Sequence, residues 1–301
     1  MSKKQKNKKI QNKIISIIAV LIIAVIAYIS PDFAKAIGII EKEESNVVEN
    51  VIKYTDSAEV TKADIQKDKL NIIFFYVGQA DSSLIMANDK TMLIDAGNNE
   101  DGKNIAKYIH ELGINKIDYV VGTHSDEDHI GGLDDIIDSF EIGKIFMSKN
   151  GTEKVNYQNV IKAANKKNIE VVQPNRGDKF TFESDDPKTE AEFEVMLALS
   201  GEDISSNNSS IVLKLQYGNT SYLFMGDAEK VAESTRTWPQ VDVLKVGHHG
   251  SNTSSSDDFL KQVKPHYAVI EVGKDNKYNL PNNKAITRIE NSGATILRTD
   301  L

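Results

Sequence analysis

A chain of 301 residues, 40% hydrophobic and 27% charged, is long enough for one large globular domain or two modest ones, with apolar material for a full core. Its formal charge of −8 excludes a generic polyanion binder. With no cysteine, disulfides and thiolate metal sites are excluded, and any metal must be held by His, Asp, Glu or Asn.

In chain order, residues 1–13 carry six lysines and no acid, and residues 14–29 (IISIIAVLIIAVIAYI) are uncharged and apolar apart from Ser16. This predicts a signal peptide or signal-anchor helix within residues 1–30, at the lower edge of the length that spans a bilayer. Ala34-Lys35-Ala36 offers a small-x-small cleavage pattern. The lysine flank places everything after Ser30 outside the cytoplasm, tethered to the cell membrane by this one helix or secreted if the helix is cut. Residues 31–68 read as a charged linker with one short helix at most.

From Leu70 the texture changes. LNIIFFYVG, SSLIMAN and KTMLIDAG predict three strands in hairpin-like succession, and GKNIAKYIHELG a helix closed by Gly113. KIDYVVGTH is a strand, DEDHIGGLDDIIDSF one helix, KIFMSK a strand and VNYQNVIKAANKKN a helix. IEVVQ, KFTFES and AEFEVMLAL form a β-rich middle, followed by the hairpin SSIVLKLQYGNTSYLFMGD and a helix over DAEKVAESTR. VDVLKVGHH, a helix from Ser255, HYAVIEVG, a helix from Pro281, and ATILRTD complete the chain. Strands followed by alternating βαβ, twice over, predict a two-layered sheet core covered by helices in residues 69–301. That segment holds 25 basic and 35 acidic side chains, so a phosphate substrate would need bound cations to supply the local positive field.

The chemistry concentrates in GTHSDEDHIGG. His124, Asp126, Asp128 and His129 are spaced i, i+2, i+4, i+5 at the end of a strand, where alternate residues project to one side and a following helix turns the next pair back. Crowded carboxylates repel unless a cation lies between them. A helix N-cap explains acids here but not two histidines. Gly131-Gly132 permits close backbone approach. Two further strands end in metal-ligand residues: SYLFMGDAE in Asp227, and DVLKVGHHGS in His248 and His249.

These motifs, with FFYVGQADSSLIM and TMLIDAG before them, resemble the metallo-β-lactamase fold superfamily, and within it the stand-alone hydrolases similar to the extracellular domain of the ComEC DNA-uptake channel. The resemblance covers about residues 69–300. It implies a four-layer αββα sandwich of mixed α/β class with two divalent ions, Zn or Mn, at one edge. By position, His124 and Asp126 would hold the first ion, Asp128 and His129 the second, with His248 preferred over His249 beside them; Asp227 would bridge both, and Asp81 would support the site from behind. Three departures stand out. An aspartate, Asp126, replaces the usual second histidine. No histidine lies between this motif and Asp227, leaving Asn207, Asn208 or water to complete that sphere and making the site oxygen-richer, which favours Mn as a rival to Zn. Leu280 occupies the histidine position of a Tyr-Gly-His-Pro motif, and relatives tend to continue beyond the point where this chain reaches Leu301.

Such a centre implies metal-assisted hydrolysis, with two ions about 3.5–4 Å apart sharing a water whose pKa falls toward roughly 7, and no side-chain nucleophile. Asp126 or Asp128 is placed to take a proton from that water. Ser251 and Lys274 are candidates for the surrounding shell or a substrate phosphate, although an exposed turn is the ordinary place for a lysine. His110, His266 and Trp238 read as structural. The resemblance points to a phosphodiesterase or nuclease acting on phosphodiesters or nucleic acid. The alternatives are another ester or lactone hydrolase, and a non-catalytic DNA- or partner-binding accessory of DNA uptake.

Overall fold

Alternation along the central strands decides the architecture, which a computed structural model describes for residues 51–53 and 62–301. The expected N-terminal helix, the cleavage pattern and most of the expected linker lie outside the described residues. Among those described, no helix is long and apolar enough to cross a membrane. In β2 (Asn71–Phe74), β3 (Ser83–Ala87) and β4 (Lys90–Ile94), Ile72, Phe74, Ile85 and Met92 face one way, and Ile73, Leu84 and Leu93 the other. Both faces are apolar, so the sheet must be covered on both sides.

The first sheet runs in the order β1 (Val51–Lys53), β2, β3, β4, β5 (Lys116–Gly122), β6 (Glu141–Met147), β7 (Val171–Val172). The second comprises β8 (Lys179–Phe182), β9 (Ala191–Leu197), β10 (Val212–Tyr217), β11 (Thr220–Phe224), β12 (Val243–Lys245), β13 (Tyr267–Ile270) and β14 (Thr295–Arg298), again in sequential order. From β2 in the first sheet and β8 in the second, pairing is antiparallel and then turns parallel, at β4–β5 and at β11–β12. Parallel neighbours need crossovers, and helices supply them: α1 (Gly102–Glu111), α2 (Glu127–Ile130), α3 (Leu133–Ser139) and α4 (Val155–Lys166) for the first sheet; α5 (Lys230–Glu233), α6 (Asp257–Val263) and α7 (Asn283–Asn291) for the second.

Three apolar layers result. Between the sheets, Ile72, Phe74, Ile85 and Met92 meet Phe193, Leu213, Leu215 and Phe224. Outside the first sheet Ile73, Leu84 and Leu93 pack on Ile105, Ile109, Ile136 and Val160. Outside the second, Leu223, Leu244 and Ala268 pack on Phe259, Leu260 and Ile289. Each such buried side chain contributes about 1.5–3 kcal/mol. The expected αββα layering is therefore present.

Some local expectations change. A short strand, β1, lies within the stretch expected to be a linker and pairs in parallel with β2. The single helix expected over DEDHIGGLDDIIDSF is two, α2 and α3, broken at Gly131-Gly132. There the chain passes against the start of α1: a Cβ on Gly132 would lie 2.3 Å from the Ala96 carbonyl oxygen and 2.6 Å from Gly102 Cα. The helix expected over DAEKVAESTR is only the four residues of α5. The last two helices start a little later than expected, where Ser256 and Asn282 accept hydrogen bonds from the amides of Phe259 and Lys284.

Candidate metal centre

The strand ends of both sheets meet at one edge. β4 delivers Asp95, β5 delivers Thr123 and His124, α2 carries Asp128 and His129, β11 leads to Asp227, and β12 leads to the turn Gly247–Gly250. Backbone bonds fix these loops to one another: Asp81 N donates to Asp128 O at 3.0 Å, Ala96 N to His129 O at 2.7 Å, and His248 N to Gly226 O at 3.1 Å. Asp95, His248 and His249 adopt left-handed backbone, with φ of 59°, 51° and 50°. For non-glycine residues this costs roughly 1–3 kcal/mol each, and it recurs where function fixes the backbone.

Asp227 is the centre of the geometry. Its Oδ1 faces His129 Nε2 at 3.2 Å and His249 Nε2 at 3.8 Å; its Oδ2 faces His124 Nε2 at 3.9 Å and His248 Nε2 at 3.7 Å. Asp126 Oδ2 lies 3.6 Å from His124 Nε2, and Asp128 Oδ2 lies 3.3 Å from His249 Nε2. Four imidazoles thus face the two oxygens of Asp227, with Asp126 and Asp128 as outer carboxylates. Four threesomes among the described residues bring their ligand atoms within 4.8 Å of one another: His124, His129 and Asp227; Asp128, His129 and His249; Asp81, Asp227 and His249; and Asp81, Asp95 and His129.

Every ring of the three buried histidines is backed on its Nδ1 side. Asp95 Oδ2 lies 2.8 Å from His129 Nδ1, and since a carboxylate only accepts, Nδ1 donates. Thr123 donates its backbone N–H and its hydroxyl to the same carboxylate, at 2.8 and 2.7 Å. With its proton spent there, the Thr123 hydroxyl is left to accept from His124 Nδ1 at 3.2 Å. His249 Nδ1 donates to the Glu271 carbonyl at 3.0 Å. All three Nε2 atoms are turned inward, and none has a hydrogen-bond partner. Of six unpartnered buried side-chain polar atoms among the described residues, four are His124 Nε2, His129 Nε2, His249 Nε2 and Asp227 Oδ1. Leaving buried polar atoms unpaired costs about 1–3 kcal/mol each, so four at one point call for a cation.

The electrostatics agree. Burial works against charge on all these groups and is outweighed. Asp81 and Asp227 hold the His249 imidazole up at about 10, and Asp227 and Asp95 raise His129 well above the ordinary value. The same histidines hold Asp227 well below the usual carboxylate range and lower Asp128, although the Asp227 charge opposes the latter. Protons shared among carboxylates are what divalent cations displace.

The structure separates the tandem histidines. His249 is buried beside Asp128 and His129, whereas His248 stands at the mouth on the Asp227 Oδ2 side, within 3.4 Å of Glu229 and 3.2 Å of Thr253. It is the His249 ring, and not that of the expected His248, that lies beside Asp128 and His129, because two successive left-handed residues turn the second histidine inward. Asp126 occupies the helix N-cap position without capping; its carboxylate turns instead to His124, Lys154 and Ser206. Asn208, one candidate for completing the sphere, spends its amide on Ser205, Glu229 and the Ala232 amide. Asn207 lies beside the His248 ring. Ser251 closes the His248–His249 turn and bonds Thr253, and Lys274 is exposed on the loop after β13. Leu280 packs on the outer core of the second sheet, next to Pro281, which lies against Gly250. His110 stacks on Phe140 and His266 lies by Asp242 at the surface.

Asp81 lies behind His249, 3.0 Å from Nδ1, and is held from the other side by buried Lys245 at 2.6 Å. Lys245 also lies 3.5 Å from Glu271, which accepts from Ser82 N and Ser83 Oγ. Burial and the Asp81 charge push Glu271 up to about 8, while Lys245 and His249 hold Asp81 below the usual range against its burial. Sequence reasoning missed Asp95, Thr123, Lys154, Ser206, Lys245 and Glu271. Only Asp95 carried a signal, an acid at a strand end in LIDAG.

The family description "Metallo-beta-lactamase superfamily" matches residues 75–273. The chain belongs to the metallo-β-lactamase superfamily. Within the superfamily it is 30% identical over 202 residues to ComE operon protein 3 of Bacillus subtilis, covering 66% of this chain and 25% of the relative. It is 28% identical over 245 residues to Competence protein ComA of Neisseria gonorrhoeae, covering 79% of this chain and 32% of the relative. The chain therefore spans about a quarter to a third of the length of the curated relatives it matches. Among solved structures, the diiron β-hydroxylase CmlA of Streptomyces venezuelae superposes with a TM-score of 0.50 at 15% identity, over 79% of this chain and 54% of that one, a likeness of fold.

Proposed function

We propose that this chain is a metal-dependent hydrolase of phosphodiesters, acting on nucleic acid outside the cytoplasm. The observation that carries it is the convergence of three unpartnered, buried imidazole nitrogens on one shared carboxylate. His124, Asp126 and His248 would hold one divalent ion, Asp128, His129 and His249 a second, and Asp227 would bridge them. His248 takes the place of the histidine missing between the sequence motifs. The donor set is nitrogen and oxygen only, which suits Zn and Mn alike.

Divalent ions so held would acidify water and polarise a phosphoryl oxygen. The chain's own part is positional. Asp95, Thr123 and the Glu271 carbonyl keep protons on Nδ1 and Nε2 free for ligation. One of the two carboxylates at the mouth, Asp126 or Asp128, each with its side chain about one third exposed, accepts a proton of an attacking water. Water attacks phosphorus, one P–O ester bond breaks, and the leaving alkoxide takes up the proton that the carboxylate received from the water. The names of the competence relatives and the predicted N-terminal anchor support nucleic acid at the cell surface. The net charge of −10 over residues 69–301 favours short single strands over long duplex, because little surface charge is left to grip a polyanion.

The test uses the full chain in detergent, stripped of metal and reloaded with Mn or Zn, and offered bis-p-nitrophenyl phosphate, single-stranded DNA and nitrocefin in parallel. Phosphodiester turnover that disappears in Asp227→Asn is expected. Turnover of nitrocefin alone overturns the substrate class, and a protein that binds neither ion under elemental analysis overturns the enzyme.

A further inference from the structure

Beside the first half of the centre lies a cation that the metal chemistry leaves unused. Lys154, at the N-terminus of α4, places its ammonium against Asp126 Oδ1 and 3.0 Å from Ser206 Oγ, and Ser206 itself donates to Asp126 Oδ1 at 2.7 Å. Ser125 Oγ sits 3.1 Å from Ser206 Oγ. The loop that carries Lys154 is held rigidly: Asn150 bonds Gly201 and Ile204, and a Cβ on Gly151 would lie 1.8 Å from Ser125 Oγ. The Lys154 and Asp126 side chains are 39% and 32% exposed, so this corner opens to solvent while the His124 ring behind it is sealed.

We propose that Lys154 is the substrate-binding cation of this centre and selects a phosphoryl oxygen over a neutral ester. The proposal rests on the metal-hydrolase reading. Two divalent ions more than neutralise Asp126, Asp128 and Asp227, so the loaded centre no longer needs the ammonium as counter-charge. An ammonium has three donors; Asp126 and Ser206 occupy two, and the third is available to an incoming oxygen at the open side. The adjoining hydroxyls of Ser125 and Ser206 offer further polar contacts. In a domain of net charge −10, a fixed cation touching the ligand shell is the feature that makes an anionic substrate bind here.

The experiment compares the metal-loaded full chain with Lys154→Met and Lys154→Arg. Inorganic phosphate binding is measured by calorimetry, metal content by elemental analysis, and selectivity as the ratio of kcat/KM for bis-p-nitrophenyl phosphate to that for p-nitrophenyl acetate. Lys154→Met is expected to weaken phosphate binding and lower the ratio by about tenfold or more at undiminished metal content, with Lys154→Arg recovering most of both. Unchanged phosphate affinity, equal losses on the two esters, or activity falling in step with lost metal would each overturn it. Failure of the wild type to turn over the phosphodiester would sink the hydrolase reading, while the phosphate arm still judges Lys154.

Discussion

Replacing Asp95 by Asn changes one oxygen into an NH2 group and tests whether the histidine tautomers are set from behind. The carboxylate receives Thr123 N on Oδ1, and the Thr123 hydroxyl and His129 Nδ1 on Oδ2. A backbone N–H can only donate, so the Asn oxygen must stay at the Oδ1 position and its amide nitrogen must take the Oδ2 position. The Thr123 hydroxyl can turn to accept, but His129 must surrender its Nδ1 proton and carry it on Nε2, the atom 3.2 Å from Asp227 Oδ1. A metal would then have to evict that proton. The expected loss is about 10–100-fold in Mn or Zn affinity, or roughly 1.4–2.7 kcal/mol, with a further 1.5–3 kcal/mol of folding stability from the lost charge-assisted bonds. Competition with a fluorescent chelator reads the first and urea unfolding the second. An Asp95→Asn protein that binds metal within about threefold of wild type would refute the account.

Three other outcomes follow from the same geometry. In the metal-free protein, His249 is raised from 6.5 to about 10 and Glu271 from 4.5 to about 8; both bind more protons folded than unfolded, so the stability they contribute is complete at low pH and is lost as pH climbs through 8 and 10. The thermal midpoint of stripped protein should therefore fall between pH 6.5 and 10, and loading with metal should flatten the part of the decline that belongs to His249, because an ion at Nε2 replaces that proton; a flat profile without metal would contradict it. Lys245→Met takes away the ammonium that holds buried Asp81 ionised and should cost about 3–5 kcal/mol in urea unfolding, where a loss below about 1 kcal/mol would show that the pair is not coupled. Gly132→Ala drives a methyl group into the Ala96 carbonyl, 2.3 Å away, and Ala96 N holds the His129 carbonyl. It should lower both stability, by about 1–3 kcal/mol, and metal affinity, measured on the same preparation.

What could be read from the sequence was whatever lay consecutively along the chain. The strands, the change of texture at Leu70 and the cluster His124–His129 are local patterns, and a ligand at the end of an apolar run is visible without neighbours. Lys245 and Glu271 were not, because each looks like a charged residue at the edge of a strand; only the packing of one sheet on the other reveals that both are buried and meet Asp81 from the opposite sheet. Lys154 reads as one more lysine in a polar loop until that loop closes over Ser125. Spacing also left the two tandem histidines undecided, since it does not show that both adopt left-handed backbone.

On the proposed assignment, that turn would let the centre carry an aspartate where the family has a second histidine and nothing where it has a third. Had residues 248 and 249 continued as strand, their side chains would point to opposite faces of the second sheet and only one could reach Asp227. With φ near +50° at both, the chain curls around the carboxylate and sets one imidazole against each of its oxygens, His248 at 3.7 Å and His249 at 3.8 Å. On the proposed assignment this one strained turn would serve both halves of the site, and a nitrogen from a different strand would stand in for the one absent from the central motif. The same argument accounts for Gly250, whose own left-handed φ of 75° lets the chain leave the turn where a Cβ would meet Pro281 at 2.7 Å. Residue type decides which side chains can ligate; backbone conformation decides how many of them face Asp227.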